Sequence, residues 1–442
     1  MMVSMMMVMM PKAMAQQNDG LAPAVIKPAS DGRTSGDAMT LEEMMATIKR
    51  LEGRIKELEE KQSRASADKS ERAEAVTAAL PVNPPKARDD KSEEEKKANN
   101  GILSFFRSTE VMGFVDGYYG YNFNQPKADA QLRNFDTRHN QFALNLVEIA
   151  LEKKPTPESR LGFRADLDFG PATELVHSFE PGGSDIFRHL QQGYLSYLAP
   201  AGNGLQIDFG KFVTQHGAEV IETKDNWNYS RSLMFALAIP YYHFGMRATY
   251  PFNDKFTLAG FVVNGWNNVV DNNTGKTVGV QAIVKPNSKL TLIQNYMTGP
   301  EQSDNNDDFR HLFDTTAIYT ANDRVSLMAN YDYGWDTVAG TRVHWQGVAA
   351  YARFQANHWF AFAPRFEWYD DHDGFTTGAR QTVKELTVTS EQKINGGLLT
   401  RFEYRRDFSD TDFFSKRTGR LVQAQSTLSF GLVYAFSSKG DQ

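Results

Sequence analysis

The constraint that decides most about this chain is a two-residue period repeated through its last three quarters. In 160–169, Leu161, Phe163, Ala165, Leu167 and Phe169 face one way, and Arg160, Arg164, Asp166 and Asp168 face the other. In 242–250, Tyr242, Phe244, Met246, Ala248 and Tyr250 oppose His243, Arg247 and Thr249. In 360–368, Phe360, Phe362, Phe366 and Trp368 oppose Arg365 and Glu367; in 398–405, Phe402 and Tyr404 oppose Arg401, Glu403 and Arg405. Such segments are amphipathic strands. A soluble sandwich would bury the apolar face. A transmembrane barrel would turn it to lipid and enclose the charged face around water.

Three features select the barrel. The strands run to about 10–13 residues, where soluble strands average about five or six. Aromatic residues gather near strand ends, as girdles at two membrane interfaces require. The connections alternate between short turns and longer polar loops. The short ones are 155–159, 201–204, 253–255, 287–289, 321–324, 355–358 and 395–397. The expected fold is therefore an all-β transmembrane antiparallel barrel of about 16 strands, both ends on the periplasmic side. The expected strands are 109–122, 140–153, 159–169, 189–199, 204–213, 241–251, 255–266, 276–285, 289–299, 310–320, 323–335, 343–354, 357–370, 380–393, 396–408 and 421–436. The segments 310–320 and 380–393 have the least clear pattern, so 14 or 18 strands stay open.

Composition divides the chain. All 53 aromatic residues follow position 104, the first being Phe105. A packed core without one aromatic in 104 residues is not expected, so the barrel occupies 105–442 and the front is something else. With no cysteine, disulfide scaffolds, thiolate zinc sites and cysteine nucleophiles are excluded. Mean hydropathy is −0.49, and no stretch supplies the ~18 apolar residues of a spanning helix. A net charge of −6 gives no support for nucleic-acid binding.

Half of the 16 methionines lie in the first 14 residues, and Ala13-Met14-Ala15 fits a cleavage site, so 1–15 reads as a signal peptide, though no Lys or Arg precedes the apolar run. A disordered leader, 16–40, follows. Residues 41–65 carry heptads with Leu41, Met44, Ile48, Leu51, Ile55 and Leu58 at a and d, and Thr40 with Glu43 forms a capping box. This predicts a short periplasmic α-helical coiled coil of roughly 35 Å, marginal alone. The alternative is one amphipathic helix lying on its own protein. Residues 66–104, rich in Ala, Lys, Glu and Pro, read as a disordered linker, with 13 basic and 14 acidic residues in balance over 41–100.

The far end, Phe430-Gly-Leu-Val-Tyr-Ala-Phe436, resembles the C-terminal signal read by the barrel-assembly machinery, with Gly431, Tyr434 and Phe436 at its spacing and a six-residue tail as a departure. The body as a whole resembles the beta-barrel porins of the OmpL-like type. The stretches that carry the resemblance are Gly113-Phe-Val-Asp-Gly-Tyr-Tyr119, Asn134-Phe-Asp-Thr-Arg-His-Asn140, Gly217-Ala-Glu-Val-Ile-Glu222, Asp225-Asn-Trp-Asn-Tyr-Ser-Arg-Ser232 and Asn264-Gly-Trp-Asn-Asn268. It covers roughly 109–436 and implies an outer-membrane channel, with little about its substrate. The coiled coil before a barrel is more distantly similar to the phosphate-selective porins. Homotrimers are the analogy that 16-stranded porins supply. Lipid and lipopolysaccharide are the expected surroundings.

A barrel this wide needs something to narrow it. The longest connection, 216–239, is the third long loop, the one that folds inward in general porins. Its apolar run Leu233-Met-Phe-Ala-Leu-Ala-Ile239 would be an aggregation hazard in water and is explained if packed inside. The expected constriction residues are Glu219, Glu222, Lys224, Asp225 and Arg231. The expected pore wall is Arg164, Asp166, Asp168, Asp208, Arg247, Arg365, Glu367, Arg401, Glu403 and Arg405, whose opposed charges would set a transverse field. The bland alternative is that these charges only satisfy one another. The expected function is passive diffusion of small hydrophilic solutes or ions. The rivals are a structural envelope anchor and a barrel enzyme.

No catalytic residue, metal or cofactor is expected. None of the nine histidines sits in a nucleophile motif, and His216 near Glu219 is the one suggestive neighbourhood. Gly275-Lys276-Thr277 lacks the phosphate-loop glycine, position 270 being Val. The acidic loops 304–308 and 370–373 have no calcium-hand pattern and read as solvated loops, bridged to lipopolysaccharide by divalent ions at most.

Overall fold

Sixteen long antiparallel strands hydrogen-bond in sequence order, and the first pairs with the last, closing the ring. The computed structural model describes residues 105, 107–394 and 396–440. The expected signal peptide, leader, coiled coil and linker lie outside the described residues. The barrel strands are β1 (Glu110–Asn122), β2 (Gln141–Lys153), β3 (Leu161–Phe169), β4 (Leu190–Ala199), β5 (Leu205–Val213), β6 (Tyr242–Asn253), β7 (Phe256–Val263) and β8 (Thr277–Asn287). They continue as β9 (Leu290–Pro300), β10 (Phe309–Asn322), β11 (Val325–Val338), β12 (Thr341–Gln355), β13 (Phe360–Asp371), β14 (Gln381–Ile394) and β15 (Leu398–Ser409), and end with β18 (Ala424–Ser437). Two short strands, β16 (Phe414–Ser415) and β17 (Leu421–Val422), make a separate hairpin in the last loop. Two short helices, α1 (Pro171–Val176) and α2 (Ser184–Phe187), lie in the second loop.

The two segments with the least clear pattern, at β10 and β14, are 14-residue strands paired on both sides, so the count of 16 stands. Closure by β1 against β18 sets Tyr118 opposite Gly431 and Val115 opposite Tyr434. Closing the ring satisfies every backbone ladder without leaving an edge, which a bilayer demands.

The period-2 pattern sorts as expected on β13 and β15, but on β6 Tyr242, expected on the apolar face, is fully buried, its hydroxyl donating to Glu180 at 2.7 Å. On β13, Phe362 and Phe366 are exposed outside, while Arg365 and Glu367 are buried inside; β15 does the same with Phe402 and Tyr404 against Arg401, Glu403 and Arg405. Several short turns are built on one residue. Asn287, Asn322 and Asn357 each accept from the backbone N–H groups two and three residues on, at 2.9–3.1 Å. An Asn side chain imitating a backbone turn lets two long strands reverse in very few residues.

One expectation is corrected. The connection between β11 and β12 lies on the long-loop side, yet it is a two-residue turn, Ala339–Gly340, with φ of 50° and 76°. The residues assigned to that loop, Asp336 to Arg342, extend the two strands instead. Asp336 is buried inside the barrel and paired with Arg310, so its polarity marks an inward-facing position and no loop. At the β7–β8 connection the reverse holds: β7 ends at Val263, and Asn264 and Trp266 belong to the connection rather than the strand.

Candidate functional site

The third long connection, between Val213 and Tyr242, lies against the inward face of the barrel. Its apolar run takes up a π-helical turn, Met234–Ala238, and Leu233, Met234, Phe235, Ala238 and Ile239 are buried. Each large side chain buried this way contributes roughly 1.5–3 kcal/mol. The strands make room for it. A Cβ on Gly431 would sit 2.3 Å from Cδ2 of Tyr229, and one on Gly347 would sit 2.3 Å from Sδ of Met234. Both glycines face inward beneath the loop, so neither position takes a side chain unless the loop moves. Tyr434 and Phe436 face outward and are exposed.

The wall holds the loop by its backbone. Arg365 Nη1 donates to Ser230 O at 2.7 Å and to Glu219 Oε1 at 2.9 Å. Arg401 donates to Thr223 O at 2.6 Å and Asn226 O at 2.5 Å, and Arg405 to Arg231 O at 2.5 Å. Glu403 accepts from the N–H groups of Tyr229 (2.7 Å) and Ser230 (3.0 Å), and Glu367 from that of Met234 (3.2 Å). A loop buried against a barrel wall cannot solvate its peptide groups with bulk water, so the charged fork of arginine and the paired oxygens of glutamate replace that water. The same arginines are neutralised sideways. Arg365 pairs with Glu385 (3.2 Å) and Glu367 (3.3 Å), Arg401 with Glu391 (2.6 Å), and Arg405 with Asp407 (2.9 Å).

The expected constriction residues do different jobs. Glu219 is buried, bound to Arg365 and to the N–H of Ser232 at 2.6 Å. It is therefore engaged there, and no proton relay with His216 is needed to explain it. His216 stacks edge-on against Phe261, and burial pulls its imidazole down to about 3, so it stays neutral. Arg231 turns back into its own loop. It donates to the carbonyls of Val220 (3.0 Å), Ile221 and Tyr229 (2.7 Å) and to Thr223 Oγ1 (2.9 Å), with its guanidinium 4.7 Å from the centre of the Phe135 ring. Burial lowers its affinity for the proton, and Asp116 and Glu219 oppose that. Burial raises the Glu222 carboxyl. Burial and Asp116 hold the Tyr229 phenol well above its ordinary value, so its hydroxyl remains the donor to Asp116 at 2.8 Å. Lys224 and Asp225 pair with each other at 2.5 Å and stay partly exposed.

The expected wall residues all occupy inward positions. They separate into two groups by access to water. The side chains of Arg365, Arg401 and Arg405 are 0–1% exposed. Those of Arg164 and Arg247 are 23% and 21% exposed. Arg164 pairs with Asp166 at 2.9 Å, and Arg247 with Asp208 at 2.8 Å while lying 4.7 Å from the Phe212 ring centre. Asp166, Asp168 and Asp208 are buried. Close to Arg164, at the turn end of the barrel, a pocket of ≈ 220 Å³ is lined by Glu152, Tyr194, Ser196 and Gln206 among others.

The first loop, between β1 and β2, was not expected to take part, and it braces the third. Arg133 is buried and pairs with Asp407 at 3.1 Å and Asp136 at 3.3 Å. Phe135 packs on Phe235 and Tyr241, and Asn134 Nδ2 donates to Ala236 O at 3.0 Å. Leu132 and Phe135, large apolar residues midway along the loop, were the available signal. The second loop clasps from another side, with Glu180 accepting from Tyr242 Oη at 2.7 Å and from the N–H groups of Val269 and Val270. Gly275 and Lys276 belong to a local turn in which Lys276 pairs with Asp271 at 2.6 Å, in keeping with a hairpin and no phosphate loop.

Residues 108–436 match the family described as "Putative beta-barrel porin-2, OmpL-like". No curated protein matches the chain. Among solved structures, it is similar to the trimer form of OmpT, an outer membrane protein of Vibrio cholerae, at 11% identity and a TM-score of 0.50, covering 74% of this chain and 99% of that one. It is similar to the outer membrane channel DcaP of Acinetobacter baumannii at 10% identity and 0.50, covering 74% and 97%. It is similar also to an anion-selective porin from Comamonas acidovorans at 10% identity and 0.50, covering 74% and 99%. At these identities the likeness concerns the barrel fold.

Proposed function

Because the chain belongs to the OmpL-like family of outer-membrane beta-barrel porins, we propose that it carries small hydrophilic solutes or ions by passive diffusion, through a lumen narrowed by its third loop. The observation that carries this reading is the unequal exposure of inward charge. The sector around β13 and β15 is occupied by the loop, and its arginines are spent on loop carbonyls. The sector from β2 to β6 keeps Arg164 and Arg247 in reach of water. On the loop, Lys224 is partly exposed and Asp225 exposed, their side chains at 24% and 54%. The solute path runs between them, past paired charges of both signs. Arg164 with Asp166 and Arg247 with Asp208 give a transverse field that polar solutes can align in, while apolar ones would lose ordered water. The opposed charges balance, so the reading assigns a polar pore and no ion preference.

The proposal includes a homotrimer, a form reported for the similar OmpT. It includes an apolar outer belt in lipid beside lipopolysaccharide, and assembly through the segment ending in Tyr434 and Phe436. It places the chain in the bacterial outer membrane with the predicted coiled coil in the periplasm, and gives no residue a catalytic role.

The absence of cysteine makes the path directly testable. Asp225→Cys is expected to fold and conduct. A negatively charged thiosulfonate added to its open channels should cut the current by roughly half, because the adduct fills the gap and adds a charge. Thr389→Cys, on the inward face of β14 and fully buried, should conduct unchanged before and after the reagent. Block at Thr389→Cys with none at Asp225→Cys would put the path in the wrong sector.

A further inference from the structure

Three carboxylates, Glu148, Asp166 and Glu222, meet where the third loop touches β2 and β3, with a fourth, Asp168, beside Glu148. Glu148 and Asp168 are direct cross-strand partners, and both point inward. Like charges placed opposite each other on a sheet destabilise it unless something offsets them. The neighbouring inward position on β3 is Asp166, and the loop brings Glu222 to Glu148 and Asp166. Ligand oxygens of Glu148, Asp166 and Glu222 lie within 4.8 Å of one another, and all three residues are buried. Arginine and lysine do not resolve the charge. Arg164 is bound to Asp166 and reaches back to Glu152 at 4.0 Å. Lys211 donates to Leu190 O at 2.5 Å and contacts His177. Lys224 pairs with Asp225. A second observation points at a ligand. Asp168 is 1% exposed, and among the described residues neither of its oxygens accepts from an N–H group or a hydroxyl, its one polar neighbour being the Glu148 carboxyl, whose Oε2 has no such donor either. Buried carboxylate oxygens without donors are costly, several kcal/mol per ion, unless they hold protons or a cation sits among them.

We propose that Glu148, Asp166, Asp168 and Glu222 form a divalent-cation site that pins the third loop to the β2–β3 wall. The all-oxygen donor set is that of a hard cation. Glu148, Asp168 and Glu222 supply up to six oxygens, and Asp166, whose oxygens also accept from Arg164 and Gln192, adds a shared one; this suits Ca²⁺, whose coordination is six to eight and flexible. Mg²⁺, which keeps its waters and demands an octahedron, fits a dry cluster less well. Three ligands come from strands and one from the loop, so the cation does on this side what the arginines do at β13 and β15.

The test uses the full-length protein, purified in detergent, freed of lipopolysaccharide and stripped with EDTA, then titrated calorimetrically with Ca²⁺ and separately with Mg²⁺. Wild type should bind one Ca²⁺ per chain, more tightly than Mg²⁺. Glu222→Gln and Asp168→Asn should each weaken it at least ~10-fold. Asp307→Asn, in an exposed loop, should bind as wild type does. A second readout is independent of binding heats. Added Ca²⁺ should raise the temperature at which the wild-type barrel loses its heat-resistant form, and should not raise that of Asp168→Asn. If wild type shows no saturable Ca²⁺ binding, or both substitutions leave it unchanged, the proposal fails. Neither outcome bears on whether the barrel conducts.

Discussion

Replacing residues 216–239 by two glycines is expected to yield a folded barrel whose single-channel conductance is at least about twofold higher. A 16-stranded barrel encloses an aqueous lumen once its contents are removed. The strand ends are already in place for the shorter connection: β5 and β6 are ladder neighbours, and Thr214 N donates to Tyr241 O at 2.9 Å. The wall also keeps its charge balance without the loop. Arg401 retains Glu391, Arg405 retains Asp407, and Arg365 retains Glu385 and Glu367. The barrel ladders use no loop residue. The deletion should therefore widen the pore and lower thermal resistance, through the loss of the buried run Leu233–Ile239. A folded, conducting deletion whose steps match those of wild type would show that the loop does not narrow the lumen.

Arg365→Ala carries the largest expected loss of stability, about 3–5 kcal/mol, because it removes one partner from a buried charge network. It leaves Glu219, Glu367 and Glu385 facing one another in a site where the side chains are 0–2% exposed. It also frees the carbonyl of Ser230, one of the anchors that hold the loop. Arg365→Lys should recover only part of the loss, since an ammonium cannot span Glu219, Ser230 and Glu385 as the planar fork does. The denaturant midpoint and heat resistance of the purified barrel measure the change. The same variant should give noisier current, as the loop loosens at one end. An Arg365→Ala barrel as stable as wild type would mean that the network adds nothing that packing does not already supply.

What the sequence made legible follows the physics of strands. The alternation on β13, with Phe362 and Phe366 against Arg365 and Glu367, could be read directly because lipid and water sit on opposite faces of each strand. The inward lie of the third loop was legible from Leu233–Ile239, a run with no other place to go. The role of Arg231 was not. A charged residue in a loop reads as facing water, and only the fold shows four acceptors of its own loop converging on it. The carboxylate pair Glu148 and Asp168 was hidden for a different reason. Each is unremarkable on its own strand, and their conflict exists only once the β2–β3 register is known. Gly431 illustrates a third case. It stands where an assembly motif has its glycine, and its contact with Tyr229 offers a packing reason for the same residue. The tight turn at Ala339–Gly340 was missed because Asp336, Thr337 and Arg342 are polar, and inside a barrel polarity does not mark a loop.

The claim on which the rest depends is that the folded barrel is an open, water-filled channel. The direct measurement is current through the purified full-length protein in planar bilayers, with insertion verified by heat-resistant migration of the same sample. Stable open steps are expected, with a conductance that rises in near proportion to salt concentration. Barrels that are folded and inserted yet pass no ions at any voltage short of membrane breakdown would contradict the account.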